Sequence, residues 1–285
     1  MSERPEVSIV VPTRDRPSAL AMCLAALERQ TVPHFEIVVV DDASRDTARV
    51  AAVVASAPHA RLVPGAGRGP AAARNAGAAA ARGAVVCFTD DDCAPVPDWA
   101  ATLARRLGPR IAAAAGPTRN GRPESVLASA AQAVISHVSE ATLDAVTERV
   151  RFAPTCNLSC LADVCHRLPF DEDYPLAAGE DRDWCARLIR AGGVIIFEPA
   201  AIVHHHQELT LRTFWRQQMR YGRGAYRFHR SQGTMHRPAS AGFYAGMVRR
   251  GVVEGGVRAG ALVCLAQVAT AVGMVREHRN VAATS

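Results

Sequence analysis

The chain has 285 residues, 49% of them apolar, which is enough to bury the core of one large domain, or one and a half, and excludes a disordered chain. It carries 33 basic against 27 acidic residues, a net charge of +6, and every one of the 33 is arginine, a codon-bias signature that makes their distribution more telling than their number. Residues 204–285 hold twelve arginines against three acids (Glu208, Glu254, Glu277), whereas residues 1–203 are mildly acidic, so the tail is suited to an anionic partner: a phosphate, a lipid surface or, last, nucleic acid, for which no motif is present.

In chain order, Val7 to Val11 reads as a buried strand closed by Pro12, and residues 16–30 as a helix with Leu20, Leu24 and Leu27 on one face. Glu36 to Val40 is a second strand ending at Asp41-Asp42, and residues 47–57 a second helix. Arg61 to Val63 is a short strand, residues 69–81 a helix bounded by glycine, and Val85 to Phe88 the next strand. Strands alternating with helices predict right-handed βαβ units and a mostly parallel sheet, whose ligands bind outside the carboxyl ends of the strands. Thr13, Asp41-Asp42 and Asp90-Asp91-Asp92 all fall at that edge. Further on, residues 125–146 read as an alanine-rich helix and Thr155 to Ser159 as a short polar strand. Gly179-Glu180-Asp181 opens a helix running to Gly192, and Val194 to Phe197 is a strand. The triplet His204-His205-His206 follows an apolar run, a helix covers about 210–229, and an apolar segment spans 259–275. That segment is shorter than the roughly 20 residues of a spanning helix, so a core or membrane-surface helix is expected.

Three adjacent carboxylates after a buried strand repel one another unless a cation meets them. Asp90 and Asp92 project to one side of an extended segment, as a divalent metal requires, and Asp91 points away; a solvated acidic loop is the competing reading. Asp41 and Asp42 suit a nucleoside contact or a helix cap, Arg74 a ligand contact or a solvated helix face. Glu180-Asp181 suits acid–base work or the complement of a helix N-terminus. The eight cysteines form no CxxC pair and have no suitably spaced histidines. A structural zinc site is not expected, and the thiols read as reduced and mostly buried in a cytoplasmic protein; no secretory signal precedes the first strand.

Taken in register, Val7-Ser8-Ile9-Val10-Val11-Pro12-Thr13, Val40-Asp41-Asp42-Ala43-Ser44, Gly69-Pro70-Ala71-Ala72-Ala73-Arg74-Asn75-Ala76-Gly77, Asp90-Asp91-Asp92 and Gly179-Glu180-Asp181 make the chain resemble the inverting glycosyltransferase family 2 over about residues 5–230. The resemblance implies a GT-A fold: α/β, a Rossmann-like mostly parallel sheet flanked by helices, here with a helical C-terminal tail. It divides the chain into a nucleotide-sugar-binding half (1–115), an acceptor-binding and catalytic half (116–208) and a helical basic region (209–285). It also implies a nucleotide-diphosphate sugar as donor, with Mg2+ or Mn2+. Asp42 accepts from the base and Asp41 lies near the ribose or base. Arg74 approaches the base or phosphates, and Pro12, Thr13, Arg14, Asp90, Asp91 and Arg220 complete the donor site. Asp92, Asp90 and His205, with His204 as its alternate, hold the metal. Asp181 is the general base, and Glu180 positions the acceptor or caps the helix. Gln217-Gln218-Met219-Arg220-Tyr221 resembles the family's QxxRW element with tyrosine for tryptophan, which argues against processive synthesis. Arg212, Arg216, Arg220, Arg223, Arg227 and Arg230 form a helical stripe whose inner end meets the diphosphate and whose outer end faces anionic lipid or solvent.

The expected function is metal-dependent, inverting sugar transfer from a UDP or dTDP donor, rather than GDP, to a hydroxyl acceptor. The acceptor is an envelope lipid, a polysaccharide precursor or a secondary metabolite. The enzyme is expected in the cytoplasm, with peripheral contact at the inner face of the membrane and no nucleic acid partner. The alternatives are a catalytically silent nucleotide-sugar-binding scaffold and a sugar-1-phosphate nucleotidyltransferase. The latter calls for a glycine- and arginine-rich N-terminal loop with a lysine, and the chain has no lysine.

Overall fold

Six of the seven residues of the first strand are buried, as in a strand with both sheet faces covered. The computed structural model describes residues 5–174, 178–234 and 239–282. Its first half alternates β1 (Val7–Thr13), α1 (Pro17–Leu27), β2 (Phe35–Asp41), α2 (Thr47–Ala55), β3 (Ala60–Pro64), α3 (Pro70–Ala80) and β4 (Val85–Phe88). Then come β5 (Cys93–Pro95), α4 (Trp99–Arg106), β6 (Ala113–Ala115), β7 (Thr118–Asn120), α5 (Val126–Glu140), β8 (Leu143–Asp144) and β9 (Arg149–Val150). After a 3-10 turn at Thr155–Asn157 follow β10 (Leu158–Leu161), α6 (Ala162–Arg167), α7 (Glu180–Arg190), β11 (Ile195–Phe197), β12 (Val203–His205), α8 (Leu211–Ser231) and α9 (Ala241–Ala282).

Nine strands form one sheet in the order β3-β2-β1-β4-β10-β6-β11-β9-β8. The first four are parallel, β10 runs antiparallel to both its neighbours, and β6 and β11 are parallel again. Side chains alternate across β1: Val7, Ile9 and Val11 join a core with α1, α2 and α4, while Val10 joins the opposite core with α3, α6 and α7. Register sets the ligand edge, because Thr13 pairs with Asp41 and Val10 with Phe88. Gly77 brings α3 down onto this edge: a Cβ there would lie 2.3 Å from Val10 Cγ1, so no larger residue permits the approach. A second sheet, β5-β12-β7, stands β12 beside the strand that follows the acidic triplet.

Three expectations are corrected. The helix expected over 125–146 ends at Glu140, and β8 and β9 follow it as a hairpin. The last helical turn is closed by Thr142, whose Oγ1 donates to the Ser139 carbonyl, and Asp144 shapes the hairpin loop, its Oδ1 accepting from the backbone N–H of Val146 and Thr147. The polar strand expected at Thr155 begins instead with a 3-10 turn, which leaves Asn157 wholly buried. There it accepts from Trp99 Nε1 and donates to the carbonyls of Pro117 and Ala201, joining three segments. The apolar segment at 259–275 is part of the 42-residue α9, which bends at Gly255 and Gly256. By length and composition α9 is long and apolar enough to cross a membrane, although a third of its most apolar stretch is buried inside the protein. Its backbone touches α8 closely, since a Cβ on Gly222 would lie 1.9 Å from the Thr270 carbonyl oxygen.

Candidate active site

One cavity of about 930 Å³ is lined by Pro12, Thr13, Arg14, Asp42, Arg74, Asp90, Asp91, Asp92, Glu180, Asp181, His205 and Arg220. Every expected site residue except Asp41 and the alternate His204 lies on it. Asp41 is turned into the turn after β2, where its Oδ1 accepts from the Ser44 N–H at 3.0 Å. Capping does not account for the Asp41-Asp42 pair, because α2 is capped by Asp46, which accepts from the Arg49 N–H. Asp42 is free for other work. Its Oδ2 accepts from the Gly69 N–H at 2.9 Å, while Oδ1 is buried with no hydrogen-bond partner among the described residues. Such an acceptor costs stability unless a ligand donates to it.

The acidic triplet does not behave as an extended strand. It sits in a turn, and Asp91 is not directed away from the cluster. Asp91 accepts from Thr13 Oγ1 at 2.8 Å and pairs with Arg16 at 2.8 Å; Arg16 also reaches Asp92 at 2.5 Å. Burial, with Asp92 and Asp90 adding to it, pushes the Asp91 carboxyl up to about 7 against the pull of Arg16. Asp92 is buried too, but His205 beside it and Arg16 hold it well below the usual carboxylate range. His205 Nε2 lies 3.2 Å from Asp92 Oδ1. Burial opposes its protonation, yet Asp92 and Cys93 beside it raise the imidazole to about 10. Arg16 escaped the sequence reading. Its only signal is its place one residue before Pro17, which starts a helix at the same sheet edge.

Arg74 ties the two halves of the site together. Wholly buried, it donates to Asp90 Oδ1 at 2.8 Å and to Glu180 Oε1 at 2.9 Å, from one guanidinium. It is neither a solvated helix residue nor unpaired. Glu180 does more than cap: it lies in the first turn of α7, whose N-cap is Gly179, and burial together with Asp181 raises its pKa against Arg74. Gly179 adopts φ +97, where a Cβ would also strike the Gly224 carbonyl oxygen at 2.9 Å, so glycine is needed to start α7 there. Asp181 follows, its Oδ1 accepting from the Arg182 N–H at 2.8 Å, and burial raises its pKa.

Asp90, Asp92 and His205 offer carboxylate oxygens and an imidazole, a donor set that suits Mg2+ or Mn2+. His205 Nδ1 is buried without a hydrogen-bond partner among the described residues. The fold also collects ligand atoms that spacing hid: Cys93, Cys156 and His205, all buried, lie within 4.8 Å of one another. All eight cysteines are free thiols, and of these Cys264 alone is exposed. The arginine stripe on α8 is divided. Arg220 lines the cavity, whereas Arg223 and Arg227 are held by Glu277 of α9.

The Glycosyl transferase family 2 model matches residues 8–151, just over half the chain. Among curated relatives, the chain is 30% identical over 239 residues to the pre-mycofactocin glycosyltransferase of Mycobacterium tuberculosis, covering 77% of this chain and 47% of that one. It is 27% identical over 230 residues to glycosyltransferase AglE of Haloferax volcanii, covering 78% and 74%. The chain thus spans about half the length of the mycobacterial relative it matches. Among solved structures it resembles a mannosyltransferase from Pyrobaculum calidifontis in complex with GDP-Man and Mn2+ (TM-score 0.64, 19% identity, 97% of this chain and 88% of that one). It also resembles glucosyl-3-phosphoglycerate synthase from Mycobacterium tuberculosis in complex with Mn2+, UDP and glucosyl-3-phosphoglycerate (TM-score 0.59, 18% identity, 84% and 82%). These likenesses are of fold, and the fold is GT-A. With its motifs gathered on one sheet edge and the family model matched over residues 8–151, the chain belongs to glycosyltransferase family 2.

Proposed function

We propose that this protein is a metal-dependent, inverting, non-processive glycosyltransferase that moves a sugar from a nucleotide-diphosphate donor to a hydroxyl acceptor. The observation that carries the reading is the Arg74 bridge between Asp90 and Glu180, which couples a donor-side carboxylate to the catalytic pair across one cavity. Residues 1–115 hold the donor, 116–208 supply the catalytic side, and 209–285 form the helical basic region. The unpartnered Asp42 Oδ1 accepts an N–H of the base, a donor that uracil, thymine and guanine all offer; UDP or dTDP is the donor we favour, and the nucleotide series below decides it against GDP. Pro12, Thr13, Arg14 and Arg220 line the nucleotide's path.

Asp181 accepts the proton of the acceptor hydroxyl as that oxygen attacks the anomeric carbon. The bond from this carbon to the diphosphate oxygen breaks as the glycosidic bond forms, its electron pair leaving with the diphosphate, and the configuration inverts. Asp90, Asp92 and His205 would hold the divalent metal, which when bound would neutralise charge on that leaving group. The raised pKa of Asp181 makes it a stronger base than a solvated aspartate. Arg74 holds Asp90 and Glu180 in place beside it, at 2.8 Å and 2.9 Å.

The same reading gives the protein a peripheral place on the cytoplasmic face of a membrane. Val257, Ala261, Cys264, Val268, Val272 and Val275 are all exposed and recur every three or four residues, a continuous apolar stripe on the outer face of α9. Arg258 stands at one end, Arg276 and Arg279 at the other, and the nearby Glu277 is buried against Arg223 and Arg227. Apolar centre, basic ends and, among the described residues of α9, carboxylates that are all paired with arginine suit an anionic bilayer surface.

The test is a thermal-shift series with UDP, dTDP and GDP, each with and without Mn2+, followed by transfer assays on the Asp181→Asn protein. A ligand of the native state raises Tm. Absence of any nucleotide- and Mn2+-dependent shift, or full transfer by Asp181→Asn, overturns the reading.

A further inference from the structure

The cavity has a wall with more apolar side chains than a nucleotide sugar needs. Beyond the carboxylates and arginines of the sheet edge it is bounded by Ile135 and Val138 of α5, Tyr221 of α8, and Phe243, Met247 and Met274 of α9. The diphosphate and the sugar hydroxyls are strongly hydrated and lose hydrogen bonds against isoleucine, phenylalanine and methionine; of a nucleotide sugar only the flat faces of base and sugar ring pack there without that loss. The second substrate of a transferase has no such constraint. α5 and α9 are held together by their own apolar core, which includes Ala130, Val134, Phe214, Val263 and Ala266, so this wall belongs to the fold and is not a surface accident.

A polar group is also waiting there. Gln218 lines the cavity, is wholly buried, and its Oε1 has no hydrogen-bond partner among the described residues. Its amide is otherwise used, with Nε2 donating to Gln217 Oε1 and the backbone carbonyl accepting from Thr270 Oγ1. A lone buried acceptor beside an apolar wall fits a ligand that is mostly hydrocarbon with a hydroxyl to donate.

We propose that the acceptor is a hydroxyl-bearing amphiphile. Its apolar chain or ring packs against Ile135, Val138, Phe243 and Met274, and a hydroxyl of its head donates to Gln218 Oε1, leaving the reacting hydroxyl to Asp181. The inference rests on the sugar transfer proposed above, and it narrows the acceptor from any hydroxyl compound to one with an apolar body. The amphiphile reaches the cavity either from solution or from the membrane that the outer face of α9 meets.

The test uses the full chain, loaded with Mn2+ and UDP, titrated calorimetrically with n-alkyl β-glucosides from hexyl to decyl below their aggregation concentrations, and with glucose. Burial of each methylene should tighten binding about two- to fourfold, and glucose should not bind measurably. Ile135→Asn and Met274→Gln should each flatten that chain-length dependence while leaving the Mn2+-dependent nucleotide affinity unchanged, which also reports that the variants are folded. The milder Val138→Thr should flatten it partly. Binding that ignores chain length, or a slope that survives in both polar variants, overturns the proposal. A nucleotide response without a chain-length slope removes this inference and leaves the transfer reading standing; a slope without nucleotide binding does the reverse to the transfer reading. Presenting decyl glucoside in phosphatidylcholine vesicles that carry anionic phosphatidylglycerol separates the two sources: faster use from vesicles assigns the membrane, and faster use from solution a free amphiphile.

Discussion

The sheet edge and the α8–α9 hairpin handle charge in opposite ways. At the edge, six carboxylates (Asp42, Asp90, Asp91, Asp92, Glu180, Asp181) share one cavity with five arginines (Arg14, Arg16, Arg74, Arg182, Arg220) and His205, and Asp42, Arg74, Glu180 and His205 each keep a buried oxygen or nitrogen without a hydrogen-bond partner among the described residues. In the hairpin one carboxylate, Glu277, is fully buried and satisfied on both oxygens by Arg223 and Arg227. The first arrangement stores unfavourable electrostatics that a ligand relieves, and the second spends its charges on holding two helices together. Unsatisfied charge marks the place where ligand chemistry belongs, and satisfied charge marks scaffold.

The sharpest way to break that comparison is to remove charges from the edge and ask which property fails. Asp181→Asn should lower transfer by about 10²–10⁴-fold, the worth of a positioned general base, and leave Mn2+-dependent nucleotide binding within about twofold. Asp92→Ala should lose both, because it removes a proposed metal ligand as well as the partner of His205. Transfer kinetics and thermal shift on the two proteins, side by side, separate catalysis from donor binding. If the two variants lose nucleotide binding equally, the assignment of distinct roles is wrong.

Arg74→Met probes stability at the same edge. It leaves Asp90 and the buried Glu180 without their shared cation, and breaking a buried pair costs about 3–5 kcal/mol. Urea unfolding measures it. Adding Glu180→Gln should restore part of the loss, because the stranded charge goes with it; no recovery in the double variant would mean that packing of the Arg74 stem carries the effect.

Much of the donor side was legible in the sequence because its chemistry sits at strand ends, where topology fixes position. Thr13, Asp42 and Asp90 are each within two residues of a strand's last residue, so recognising the βαβ order was enough to bring them together. Arg16 and the turn at Asp91 were missed because side-chain alternation holds only while the strand continues, and β4 stops at Phe88. The Cys93–Cys156–His205 grouping and the apolar cavity wall were invisible for a different reason. Their members come from elements whose contact is decided by packing of α5 and the second sheet, which no spacing records. The end of α5 was lost to composition: alanine-rich periodicity runs on past Glu140, while Thr142 closes the helix through a side-chain bond that no periodicity records.

The hairpin's charge gives a smaller, pH-dependent effect. The Glu277 carboxyl is buried, which would raise its pKa, but Arg223 and Arg227 bonded to it hold it below its ordinary value of 4.5. A depressed folded pKa means stability that is present above the unfolded value and lost as pH falls through the folded one. Glu277→Gln should therefore cost about 1–3 kcal/mol at neutral pH and much less at the acid end of the range. Hydrogen exchange should locate the loss in α8 and α9, with the nucleotide response at pH 7 unchanged. A pH-independent loss would show that shape, not charge, holds the hairpin.

The smallest effect on stability, and the cleanest contrast with the buried edge, concerns the outer face of α9. Val268→Asp and Val272→Asp alter exposed positions and should shift unfolding by no more than about 0.5 kcal/mol. Their effect on membrane contact should be large. Since seven of the eight cysteines are buried, an environment-sensitive fluorophore reacts at Cys264, in the middle of the apolar stripe, without mutagenesis. Vesicles with anionic lipid should shift its emission to the blue. Arg258, Arg276 and Arg279 each add about 1 kcal/mol near such a surface, so anionic vesicles should be preferred over zwitterionic ones by on the order of a hundredfold at low salt. Added salt should erode that preference, and either aspartate should abolish the shift. A blue shift that grows with protein concentration and ignores lipid would instead assign the stripe to a second copy of the chain, and α9 would then belong with the satisfied, scaffolding half of the comparison.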